Sequence, residues 1–248
     1  MSGYEGPRCV NCGIKACAEK DATPPVSCPM ANEPEVLAGA RKAMIANPGL
    51  RRLAQESART EAAGYGKATR VEEIMDFARR MGWSRLGIAH CIGLMREARM
   101  AQEIFVSNGF QCFTACCKMG AIPKEEVGLA EADKICPGEF EVLCNPIGQA
   151  AILADAETEF NVVIGLCVGH DSLFFMHSKA PVSVLVAKDR VLGHNPVAAL
   201  NTWHSYYRRL DGGRAGTSWD RTGIRPIMGS RSAMRRKDAI YVSSALGC

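Results

Sequence analysis

From residue 84 onward, short apolar runs alternate with amphipathic stretches, and this rhythm limits the fold more than any other feature of the chain. "RLGIAH", "FQCFTAC", "FNVVIGL" and "VSVLVAKD" read as strands. "GLMREARMAQEIFVSNG", "PIGQAAILADAET", "HDSLFFMHS" and "NPVAALNTWHSYYRRL" read as the helices between and after them, with Asn145 as a cap and Pro146 in a first turn. Strands that alternate with helices predict an α/β fold, an open, mostly parallel sheet with helices on both faces. The near-continuous apolar character of the strands fits burial on both sides.

Cysteines recur where these strands hand over to helices. Cys91 follows "RLGIAH", Cys116 and Cys117 follow "FQCFTA", and Cys167 follows "FNVVIG". Cys144 follows "FEVL", read as a further short strand, and precedes the Asn145 cap. In a parallel open sheet every strand-to-helix turn lies on the carboxyl edge, where such folds bind ligands. Thiols at four junctions should therefore gather at one rim. A helix start favours thiolate, the form that binds metal or attacks electrophiles. Gly93, Gly120, Gly165 and Gly169 in the same turns allow close backbone approach. The set suits an iron–sulfur cluster, a 4Fe–4S cluster foremost, bound by Cys91, Cys117, Cys144 and Cys167 or by three of them with an open iron. Any one of these cysteines alone reads as a small buried hydrophobe. That reading serves for Cys112 and Cys136, with Cys248 a tail residue.

His170 stands three residues after Cys167, so the two could form an activated nucleophile, although capping by His170 and Asp171 is the simpler expectation. Catalytic roles, if the rim reacts directly, fall to Cys167, His170 and Cys117. His90 is a strand-end histidine, structural or liganding, and His194-Asn195-Pro196 reads as a turn into a helix. Lys118, Lys179 and Lys188 near strand ends could hold an anion, with solvation as the default.

The first 32 residues differ from the rest. Cys9, Cys12, Cys17 and Cys28 form C-x2-C-x4-C-x10-C-P, a metal-ligand pattern in a reducing compartment. "CVNCG" is similar to a zinc knuckle and the terminal Cys-Pro to ferredoxin runs, so zinc and iron–sulfur both stay open. Residues 33–82 carry helical periodicity over "PEVLAGARKAMIA", "NPGLRRLAQESARTEAA" and "RVEEIMDFARRMG", with Asn47-Pro48 as a start and Gly82 as a stop. The expected divisions are a Cys-rich metal module over 1–32, a helical segment over 33–82, an α/β domain over 83–208 and a basic tail over 209–248.

Composition narrows the function. Twelve cysteines in 248 residues fall short of the roughly 8–10% of a disulfide scaffold. No apolar run reaches the about 18 residues of a membrane span, and "MSGYEGPRCVNCG" lacks a secretory leader's pattern, so a cytoplasmic protein is expected. The net charge of +4 is a tail property: from Arg208 onward nine Lys and Arg face three Asp. With no aromatic or groove-reading motif beside it, a solvated tail is preferred to a nucleic-acid partner. No phosphate-binding G-x-x-x-x-G-K-[ST] or G-x-G-x-x-G follows a strand, which disfavours a standard nucleotide enzyme.

"SCPM", "GIAHCIGLMREA", "CCKMGAI", "CNPIGQA", "GLCVGHDSLF" and "APVSVLVAKDRVLGHNPVAAL" together resemble an uncharacterised prokaryotic family of metal-binding proteins, a domain of unknown function with a cysteine-rich N-terminus. The likeness runs over about residues 8–205. It implies metal binding through Cys9, Cys12, Cys17 and Cys28 and carries no reaction. Three functions compete. One is a cytoplasmic iron–sulfur redox or sulfur-chemistry protein, served by an electron-donor protein and acting on an unread small substrate. Another is a zinc-stabilised binding module without catalysis. The last is a thiol enzyme with Cys167 or Cys117 as nucleophile or persulfide carrier, one of the adjacent Cys116 and Cys117 being spare.

Overall fold

The structure, a computed structural model, describes residues 5–211. They divide into two compact units, one before and one after the Ala68–Thr69 link.

The first unit holds the Cys9–Asn11 turn and helices α1 (Pro29–Asn32), α2 (Pro34–Ala46) and α3 (Pro48–Gly64). Asn47 starts α3 as expected: its side-chain oxygen accepts from the amides of Gly49 at 2.9 Å and Leu50 at 3.1 Å. All three helices begin on proline, whose fixed φ and missing donor suit a first turn.

The second unit opens with α4 (Arg70–Met81), set by a Thr69–Glu72 capping box and closed by Gly82 at φ 76°. Then come β1 (Arg85–His90), α5 (Met95–Ser107), β2 (Gln111–Cys116), α6 (Pro146–Asp155), β3 (Phe160–Ile164), α7 (His170–His177), β4 (Val182–Val186) and α8 (Val197–Thr202). The 33–82 segment is therefore divided: α4 belongs with the sheet. Its Ile74, Met75 and Ala78 are buried in the core that includes Leu86, Ile88, Phe160 and Val162. The Arg70 guanidinium reaches Ser183 Oγ at 2.7 Å.

The four strands are all parallel, in the order β2-β1-β3-β4. The chain moves outward from β1 to β2, then returns across β1 to add β3 and β4. With the right-handed crossovers such units take, that reversal places α5 on one face and α6 and α7 on the other. α6 packs along α7 and against β1 and β2. The central strands carry the core: β3 is buried at every residue and β1 at all but Arg85, while β2 and β4 are edges. The point of reversal lies between the carboxyl ends of β1 and β3, where a ligand crevice forms in such sheets.

Two expectations need correction. "FEVL" is not a strand of the sheet; within it only Val142 forms an isolated antiparallel bridge, to Pro123, inside the long connection between β2 and α6. Residues 195–210 are not one helix. α8 stops at Thr202, whose carbonyl accepts the amides of Ser205 and Tyr207 at 3.0 and 3.1 Å and closes a turn. The "TWHSYY" run is poor in helix formers, which explains the early stop. The basic tail lies, apart from its first three residues, outside the described residues, as does Cys248.

Candidate functional site

The ladder hydrogen bonds of the sheet continue one step past the strand ends and fix the junction cysteines. Cys91 donates its amide to Ile164 O at 3.1 Å, and Cys117 donates its amide to His90 O at 2.9 Å. Gln149, fully buried on α6, bridges the same edge by donating Nε2 to His90 O at 3.1 Å and Ala115 O at 2.6 Å. Gly165 carries β3 into the rim. It sits at φ 65°, and a Cβ there would lie 2.7 Å from the buried Leu94 side chain. Asn145 joins its amide to Cys117 O at 2.7 Å, which draws the neighbouring Cys144 to the rim although no strand delivers it. The connection carrying Cys144 is itself tied down by Lys134, whose ammonium meets Glu125 and Glu131.

The four sulfurs come together as the junction pattern predicts. Cys91 interacts with Cys117 and Cys167, and Cys144 interacts with the same two. The result is a ring of thiols from four separate segments. Hydrogen-bond donors surround it. Lys188 Nζ reaches Cys91 Sγ at 2.6 Å, and Arg190 reaches Cys167 Sγ at 3.0 Å. The amides of Gly93 and Ile92 point at Cys91 Sγ and Cys117 Sγ, at 3.4 and 3.3 Å. Among the described residues, no three His, Cys, Asp or Glu side chains already converge as a ready-made shell for a single ion. The sulfurs are neighbours around a ring rather than donors drawn onto one point.

The thiols around that ring are pushed in alternating directions. Cys91 is held far below the ordinary thiol range by Cys117, then by Cys167, Lys188 and the Gly93 amide. Cys144 is lowered by Cys117 and Cys167, with the nearby charges of Lys118 and His170 adding to the effect. Cys117 and Cys167 are pushed up, each first by Cys144 and then by Cys91. The two cysteines expected as nucleophiles, Cys117 and Cys167, are thus the two whose thiols are pushed up. Cys112, by contrast, is half-buried on β2 away from the ring, and burial pushes its thiol up to about 12.

His170 takes another place than the sequence implied. His170 does not cap α7; the cap is Gly169, and Asp171 Oδ1 accepts the Gly169 and Ser172 amides at 2.9 and 2.8 Å. The cation on Cys167 is Arg190 rather than His170. His170 Nδ1 is buried and has no hydrogen-bond partner among the described residues. His90 is structural, its Nδ1 3.1 Å from Cys91 O. His194 accepts the Asp189 amide at 3.2 Å, within the loop that carries Lys188 and Arg190. Cys116 lies outside the ring, opposite His90 in the sheet register. Arg190 escaped the sequence reading. The rule that found the cysteines would have found it, because Lys188 and Arg190 follow "VSVLV" onto the same edge.

In the first unit, Cys9 and Cys17 are exposed while Cys12 and Cys28 are half-buried. The Cys12 amide donates to Cys9 O at 3.1 Å, and the Lys15 amide points at Cys12 Sγ at 3.3 Å. These bonds make the tight turn that "CVNCG" predicts. The four are not drawn into a metal shell.

Fold and rim define a class: a doubly wound parallel α/β protein with a four-cysteine ring at its switch point. The chain belongs to the family described as "Protein of unknown function (DUF1847)", whose model matches residues 28–185. The match includes Cys28 and all four ring cysteines. It begins after Cys9, Cys12 and Cys17 and ends before Lys188 and Arg190. An uncharacterised protein of Methanocaldococcus jannaschii is 44% identical over 161 residues, which is 65% of this chain and 81% of that protein. No solved structure matches the chain. Among the described residues, no helix is long and apolar enough to cross a membrane.

Proposed function

We propose that this is a cytoplasmic metal-binding protein that carries an iron–sulfur cluster, of the 4Fe–4S type, on Cys91, Cys117, Cys144 and Cys167. The observation that supports the reading is the meeting of four thiols, from four separate segments, at the sheet's switch point. The surroundings suit such a group. Four N–H donors aimed at sulfur would temper the negative charge of thiolate ligands, as outer-shell partners do in metal centres. A cluster here would supply one-electron chemistry, fed by an electron-donor protein and passed to a small substrate. The chain's part is to present the sulfurs, hold cations against them and keep the rim partly closed to water: Cys91 and Cys117 are 5% and 2% exposed.

Cys9, Cys12, Cys17 and Cys28 are proposed as a second metal site, on the strength of their spacing and of the turn at Cys9–Asn11.

Anaerobic reconstitution with iron and sulfide tests the first reading. The expected product is a brown protein with matched iron and sulfide, and a C91A/C117A/C144A/C167A variant that lacks the iron held by the ring. Equal iron in wild type and variant, or protein that takes up zinc alone, would overturn it.

A further inference from the structure

The four sulfurs are not equivalent. Cys91, Cys117 and Cys167 leave β1, β2 and β3 within three residues of the strand ends. Each of their sulfurs also accepts at least one N–H: Gly93 and Lys188 on Cys91, Ile92 on Cys117, Arg190 on Cys167. Cys144 differs on both counts. It comes at the end of the long irregular connection after β2, and no N–H among the described residues donates to its sulfur. Yet a lysine and a histidine stand in range of it, Lys118 and His170. Lys118 spends a proton on Val142 O, and His170 Nδ1 is buried without a partner. A buried ring nitrogen left unpaired is costly unless something else meets it. Three sulfurs braced by outer donors and one without leave Cys144 the least supported of the four positions.

We propose that Cys144 is the exchangeable ligand of the ring and that the corner beside it, with Lys118 and His170, takes a small anionic or thiolate ligand of the metal. This rests on the metal-centre reading above. In such an exchange the metal–Sγ bond to Cys144 would break as a bond from the incoming donor atom formed. No electrons change hands, and the freed thiolate keeps its charge near Lys118. His170 Nδ1 supplies the hydrogen bond that the incoming group accepts.

The test compares full-length wild type with C91A, C117A, C144A and C167A after anaerobic reconstitution, with iron per chain as the readout and circular dichroism as the check on folding. C144A should keep roughly tenfold more rim iron than the other three, the scale on which outer-shell support alters metal affinity. Equal loss in all four overturns the proposal. Cyanide, as a small anionic probe, is then titrated into reduced wild type and followed by electron paramagnetic resonance, a measurement that stands even if a variant fails to fold. A cyanide-dependent change that H170Q weakens is expected; an unchanged spectrum overturns the proposal. The two readings fail in different ways. Wild type without iron removes the metal centre and this corner together, whereas a loaded wild type with four equivalent cysteines removes only the corner.

Discussion

Gly165 shows how a single position serves both strand and site. Its φ of 65° is costly for any side chain, and the space a Cβ needs is already taken by Leu94. G165A should therefore lower stability by about 1–3 kcal/mol, read as a reduced urea midpoint with an unchanged denaturant slope. An unshifted midpoint would show that Leu94 yields freely. Asn145 is a second such residue. It caps α6 through the Gly148 amide at 2.8 Å, and its own amide holds Cys117 O. The cap was legible because Asn-Pro before an apolar helix has a local physical cause. The tie to Cys117 was not, since it spans 28 positions of sequence and depends on how the intervening connection folds. The same limit hid the opposite directions in which neighbouring thiols are pushed, a property of the ring and of no cysteine taken alone.

Among elements, β1 and β3 were legible almost to the residue, because strands buried on both faces leave an unbroken apolar run. "FEVL" shows where that rule fails: it has the composition of a strand, but the two central positions of the sheet are already filled. Lys188 was legible as a charge near a strand end, but not as a sulfur partner, and Arg190 was not read from the sequence at all. The amino ends of the two central strands are joined by Glu159, whose carboxylate accepts the amides of Ser84 at 2.7 Å and Arg85 at 2.9 Å. These backbone donors, Ser84 first, hold Glu159 below the usual glutamate value. Its contribution is complete above the unfolded value of about 4.3 and is lost as pH falls through the lower folded value. E159Q should then cost about 1 kcal/mol near neutrality, after allowance for solvent screening, and the gap to wild type should close toward pH 3 in equilibrium unfolding. A gap constant with pH would place the effect in shape rather than charge.

For the molecule as a whole, the division at Ala68–Thr69 makes the sheet unit a candidate for independence. Residues 69–248 expressed alone should give a cooperative melt and, reconstituted anaerobically, the iron of the rim. A fragment that melts without a transition would show that the first unit is needed for folding. The strand order carries a further consequence, for the history of each copy. β3 fills the slot next to β1, yet it is synthesised after α5, β2, the long connection and α6. A nascent chain emerging from the ribosome therefore holds Cys91, Cys117 and Cys144 before Cys167 exists to close the ring. On the proposed metal-centre reading, loading of the complete ring would follow the synthesis of β3, and until then three of its four thiols would stand without the fourth.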